Sequence, residues 1–150
     1  MSGPITPAAT AVLVRAAEEA TRRGDRRIGT DHLLLGLLHD PAVARTLGTD
    51  VEQARVAAQR LDRLALAAIG IELGTKPAQV SPRRAGSGPP TSGLRGVIAR
   101  AVAMARAENV RKAEPRHLLA ALLEGRRPDP AAELLDALDT RPEDPARRAP

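Results

Sequence analysis

The chain has 150 residues, enough for a single sizeable core, and carries a net charge of +5 with 23 basic residues, all Arg except Lys76 and Lys112. It has no cysteine, so disulfides and thiolate chemistry are excluded, and no Phe, Tyr or Trp, so there is neither a stacking platform for single-stranded nucleic acid nor an aromatic anchor for a partner. Basic residues run along the whole chain among 18 acidic ones, which reads as solvated helix faces rather than one polyanion-binding stripe.

Thr6-Pro7 pairs an N-cap with a proline at the first helical position, and Ala9, Val12, Leu13, Ala16, Ala17 and Ala20 then fall on one face of a helix over about 7–23, ended by Gly24. After a polar connector, Gly29-Thr30-Asp31-His32-Leu33-Leu34-Leu35-Gly36-Leu37-Leu38 predicts a short apolar helix over about 31–39. Thr30 is expected to cap it, Asp31 to face the positive end of its dipole, and Gly36 to let a neighbouring helix approach. Stretches this apolar belong in a core. A short helix follows over about 41–47, then a longer one capped by Asp50 and running to about 69, with Val51, Ala54, Ala58, Leu61, Ala65 and Ile69 inward.

Residues 74–90 are rich in Pro, Gly, Ser and Arg and read as a linker. Beyond it the pattern restarts. At an offset of 85, Thr6 falls on Thr91, Arg15 on Arg100, His32 on His117, Leu37 on Leu122 and Leu38 on Leu123. Agreement at one offset marks a tandem duplication, with repeat 1 at about 5–70 and repeat 2 at about 91–138. Helices are expected over about 91–109, 115–123 and 130–138. Residues 139–150, with three prolines among charges, read as a disordered tail, leaving repeat 2 without a counterpart of the long helix over 50–69. Leu134, Leu135 and Leu138 would then lie uncovered, which predicts self-association through the C-terminal repeat.

No catalytic constellation emerges. His32 and His117 tempt a metal or dyad reading, but no HExxH and no cysteine ligands accompany them, and neighbours such as Asp31 and His32 point about 100° apart on a helix. They are read, with Thr30, as structural residues seating the central helices. Gly70 to Lys76 has the wrong spacing for a phosphate-binding loop. No enzyme activity, cofactor or metal is expected. The first residues have neither a basic start nor an apolar run, and no apolar run approaches a membrane span, so a soluble cytoplasmic protein is expected.

At Thr6-Pro7, the stretch from Ile28 to Leu38, and its echo at His117-Leu118-Leu119, the chain resembles the Clp N-terminal (Clp repeat) domain of ClpA- and ClpC-type unfoldases. The resemblance implies an all-α fold of two pseudo-symmetric four-helix repeats, the second with its last helix shortened or absent. It also implies a role in binding adaptors, protein clients or short and cyclic peptides. No ATPase module accompanies it, which suggests a free-standing adaptor, competitor or ligand-sequestering decoy whose partners include Clp unfoldase components. In members that recognise phosphorylated arginine, a Glu at the position of Asp31 pairs with the guanidinium and a Thr opens each repeat. The resemblance therefore places one ligand site at Thr6 with Asp31 and a second at Thr91 with Arg116, where the reversed charge repels a guanidinium. Ile5 stands where some members carry an aromatic for cyclic peptides. The competing class is a small basic nucleic-acid-binding protein using Arg26, Arg27, Arg83 and Arg84 against phosphates.

Overall fold

A computed structural model describes residues 3–70 and 88–138, which form seven α-helices: α1 (Pro7–Arg23), α2 (Thr30–Leu37), α3 (Pro41–Leu47), α4 (Val51–Ala68), α5 (Ser92–Ala107), α6 (Pro115–Leu123) and α7 (Pro130–Leu138). Among these residues there is no strand; one parallel bridge joins Ile5 to Ala113. No helix among them is long and apolar enough to cross a membrane. Most of the expected linker and the whole expected tail lie outside the described residues.

Four helices, α1, α3, α4 and α5, start at a residue whose side chain caps them. The Thr6 and Thr91 side chains accept from the N–H of Ala9 and Leu94, and Asp40 and Asp50 do the same for α3 and α4. Gly24 and Gly48 close α1 and α3 at φ 77° and 71°, a conformation that costs glycine little.

The core centres on α2, which packs against α1, α4, α5, α6 and α7. Leu33, Leu34 and Leu35 are fully buried, so α2 is apolar all round, as a helix enclosed on every side must be. The α1–α2 crossing is close because Gly36 lies over the α1 backbone. A Cβ there would sit 2.8 Å from the Val12 carbonyl oxygen and 3.0 Å from the Ala16 nitrogen.

Two expectations about the apolar surface are corrected. Leu134 and Leu135 are buried and Leu138 is half-buried, because α7 covers them against α2 and α4; they offer no uncovered patch for self-association. Conversely, Ala65 and Ile69 are exposed, Ile69 by 72%. Among the described residues the inward stripe of α4 is buried at Ala54 and Ala58, half-buried against the core at Val51 and Leu61, and uncovered beyond.

The repeats are joined through exchanged backbone bonds. The N–H of Thr6 donates to the Ala113 carbonyl (2.9 Å), and at equivalent positions the N–H of Thr91 donates to the Ile28 carbonyl (3.0 Å). The start of each repeat is thus held by the connector of the other.

Candidate functional site

The residues singled out in the sequence gather at the N-terminus of α2 and its counterpart in α6. Gly29, extended at the N-cap of α2, has no side chain with which to cap it. His32, three residues on, reaches back so that its Nδ1 accepts from the Gly29 N–H at 2.9 Å. With Nδ1 accepting, the ring proton is on Nε2, which donates to Asp25 Oδ2 at 2.7 Å. Repeat 2 rebuilds the device: Glu114 N–H donates to His117 Nδ1 (2.9 Å), and His117 Nε2 donates to Glu108 Oε1 (3.0 Å). Both imidazoles are buried and fully committed to holding a helix start. Burial pushes the Asp25 carboxyl up, but the His32 hydrogen bond and the Arg23 charge outweigh it and hold it below its ordinary value. Hydrogen bonds from His117 and Arg116 likewise lower Glu108.

Thr30 does not cap α2 as expected. It is the first residue of the helix, and its hydroxyl turns to the other repeat, donating to Asp129 Oδ1 (2.9 Å) and accepting from the N–H of Ala131 (3.2 Å). A glycine N-cap frees this hydroxyl to cap α7 instead, across 101 residues of sequence.

Asp31 lies in the first turn of α2, with its side chain 18% exposed. Its Oδ2 accepts from Arg23 Nη1 at 2.8 Å. The same guanidinium reaches Asp62 Oδ2 at 2.8 Å and lies 3.3 Å from Asp25 Oδ2, tying the end of α1 to the connector, α2 and α4. Burial alone would lower the Arg23 pKa, but the three carboxylates raise it. Asp31 Oδ1 makes no hydrogen bond among the described residues.

Asp31 and Thr91 line one open cleft of about 470 Å3, together with Asp25, Arg26, Gly93 and Asp129. The expected grouping is therefore exchanged. Asp31 of repeat 1 shares a cleft with Thr91 of repeat 2, while the Thr6 N–H is bonded to Ala113, three residues before Arg116 in the sequence. The crossed backbone bonds are the cause, since each Thr is delivered to the connector of the other repeat. Arg116 itself stands 2.9 Å from Glu108 and 3.2 Å from Glu114. Both Thr hydroxyls accept cap hydrogen bonds and still have their own proton to donate.

Sequence reasoning missed Arg23, Asp25 and Asp129. Asp25 and Asp129 were visible only as a connector residue and a helix-start residue, and nothing in a linear pattern connects either to α2. Chemically, the cleft offers three carboxylates, two hydroxyls and two flanking arginines, a set suited to hydrogen-bonded recognition of a cationic group. Among the described residues, no group of three or more His, Asp or Glu side chains is placed to hold a metal ion.

No family model matches the chain, and no curated protein does. Among solved structures, it is similar to the crystal structure of the N-terminal domain of the caseinolytic protease associated chaperone ClpD from Arabidopsis thaliana. The identity is 22%, the TM-score 0.66, and the match covers 91% of this chain and 86% of that one. With that likeness, seven helices among the described residues and a central helix that recurs in each repeat, the chain has the all-α fold of a Clp N-terminal domain.

Proposed function

We propose that this chain is a non-enzymatic module that binds proteins or peptides, taking a cationic side chain of its client into the cleft between Asp31 and Thr91. The observation that supports this most directly is the cleft itself. A carboxylate oxygen that accepts no hydrogen bond among the described residues and a threonine hydroxyl at a helix N-terminus are brought together from different repeats, in a fold shared with a chaperone domain. A guanidinium would sit on Asp31 Oδ1 opposite Arg23, and an anionic substituent on it, as in phosphoarginine, would meet the Thr91 hydroxyl and the positive end of the α5 dipole. Thr6, which is bonded to Ala113 and does not line this cleft, is expected to contribute little to such a ligand. In the cell the module would act as an adaptor, a competitor or a sequestering decoy for a Clp chaperone.

The test is fluorescence polarisation with labelled arginine and phosphoarginine peptides, run on the unmodified protein and on Asp31→Asn and Thr91→Val. Purified Clp chaperone serves as a competitor. The expected result is saturable binding, weakened at least tenfold by Asp31→Asn and reduced by the competitor. Absence of binding, or equal binding by the Asp31→Asn variant, would refute the assignment.

A further inference from the structure

The second cleft of comparable size has the opposite electrostatic character. It encloses about 480 Å3 and is lined by Gly3, Pro4, Arg106, Arg111 and Lys112. Three other arginines of repeat 2 stand against carboxylates, Arg100 at Glu124, Arg116 at Glu108 and Glu114, and Arg127 at Asp136, and Arg95 donates to the Pro90 carbonyl. Arg106, Arg111 and Lys112 have no acidic partner among the described residues, yet they converge on one concavity. The end of α5 accounts for Arg106, which lies in the last turn where a cation complements the dipole. It does not account for Arg111 and half-buried Lys112, which follow the helix in the connector.

The duplication shows how the difference arises. Arg111 and Lys112 lie 85 positions after Arg26 and Arg27, so both repeats carry a basic pair at the same place. In repeat 1 both members of that pair line the cleft that holds Asp25, Asp31 and Asp129, and Arg27 donates to the carbonyls of Pro89 and Pro90. In repeat 2 the counterparts of Asp25 and Asp31 are Val110 and Arg116, and the acids nearby in sequence, Glu108 and Glu114, are engaged by His117 and Arg116 rather than by Arg111 or Lys112.

We infer that the cleft formed by Arg106, Arg111 and Lys112 is an anion-binding site that takes an acidic segment of a peptide, through side-chain carboxylates or phosphates. Guanidinium forks match either oxyanion, and a cluster of uncompensated cations in a concavity concentrates the field on it. The choice of a peptide over a nucleic acid rests on the protein-binding reading above, and also on the lack of any aromatic residue on which a base could stack. The domain would then recognise two opposite charges at two separate points.

The experiment measures polarisation of two labelled peptides, one carrying a run of glutamates and one the same run with phosphoserines. A single-stranded oligonucleotide of equal charge is the third probe. The proteins are the unmodified chain, Arg111→Glu/Lys112→Glu, the milder Arg111→Ala/Lys112→Ala, and Asp31→Asn, with circular dichroism to check folding. Binding of either peptide that falls at least tenfold in the double variants and with rising salt, but survives Asp31→Asn, supports the site. The preferred peptide then identifies the oxyanion. Absence of binding, binding untouched by the double substitutions, or equal capture of the oligonucleotide through the same residues would overturn it. If the unmodified protein binds an acidic peptide but neither arginine peptide of the preceding test, the Asp31 assignment fails alone; if it binds an arginine peptide but neither acidic one, this assignment fails alone.

Discussion

Replacing Gly36 by alanine tests the packing on which α2 depends. The added Cβ would lie 2.8 Å from the Val12 carbonyl oxygen, 3.0 Å from the Ala16 nitrogen and 3.4 Å from the Ala16 Cα. All three are backbone atoms of α1, so no side chain can rotate away and the two helices must separate by several tenths of an ångström. Overpacking of this kind costs about 3 kcal/mol when the surroundings are rigid. Alanine returns about 1 kcal/mol through its better helix propensity. The net loss is about 2 kcal/mol, and with a urea dependence of about 2 kcal/mol per molar the midpoint should fall by about 1 M. Gly96→Ala is the control, because its Cβ would meet nothing within 4 Å except Arg100 Nη1 at 3.6 Å. That variant keeps only the propensity term and should be more stable by about 1 kcal/mol. Repeat 2 carries Ala121, fully buried, where repeat 1 has Gly36, so the α5–α6 crossing already accommodates a Cβ. A Gly36→Ala midpoint at or above that of the unmodified protein would refute the reasoning.

Thr30→Val removes a hydrogen bond to Asp129 and leaves the Ala131 N–H unsatisfied, so a loss of about 2 kcal/mol is expected in thermal or urea unfolding, and an unchanged midpoint would contradict the cross-repeat cap. Arg23→Met leaves Asp25, Asp31 and Asp62 facing one another; the expected loss of about 2 kcal/mol should shrink in high salt, and a salt-independent loss would show that packing rather than charge is responsible. Burial raises the Glu19 carboxyl, but the hydrogen bonds from Arg55 and His39 prevail and hold it below its ordinary value of 4.5. A depressed carboxyl contributes stability above its unfolded value, and that contribution is lost as pH falls through the folded one. Glu19→Gln should therefore lower stability at pH 7 and flatten its decline below about pH 4.5, whereas an unchanged acid limb in calorimetry would remove Glu19 from the account.

The helices were legible in the sequence because each carries its own local signals. Thr6-Pro7, Asp50 and Thr91 mark starts that the hydrogen bonds confirm within a residue, and the leucines of α2 declare their burial. The duplication was legible too, since an offset of 85 survives in the residues that cap and pack. The candidate site was legible only in its parts. Thr91 and Asp31 share a cleft because two backbone bonds cross between repeats, and repeat-by-repeat reading pairs each Thr with the acid of its own unit. Arg23 drew no attention because an arginine at a helix end is ordinary, and its three carboxylates come from three separate segments. The inward pattern of α4 ran true to period 3.6, but periodicity gives the direction of a face and not how far its neighbours extend, so Ala65 and Ile69 were misplaced. The basic pairs Arg26-Arg27 and Arg111-Lys112 repeat at the same offset as everything else, a signal that counting charges along the whole chain concealed.

The crossed bonds also set a timetable for synthesis. Thr6 leaves the ribosome long before Ala113 exists to receive its N–H, and Thr30 waits for Ala131. Nascent α1 and α2 can associate early, since they are neighbours in sequence, but the leucines of α2 that α5, α6 and α7 cover stay in water until nearly the whole chain has emerged. Contacts of such sequence separation are slow to close and expose apolar surface while they wait. A stalled or truncated copy ending before α5 would therefore itself carry the sort of sticky surface that chaperones recognise, so this protein should need protection during its own translation.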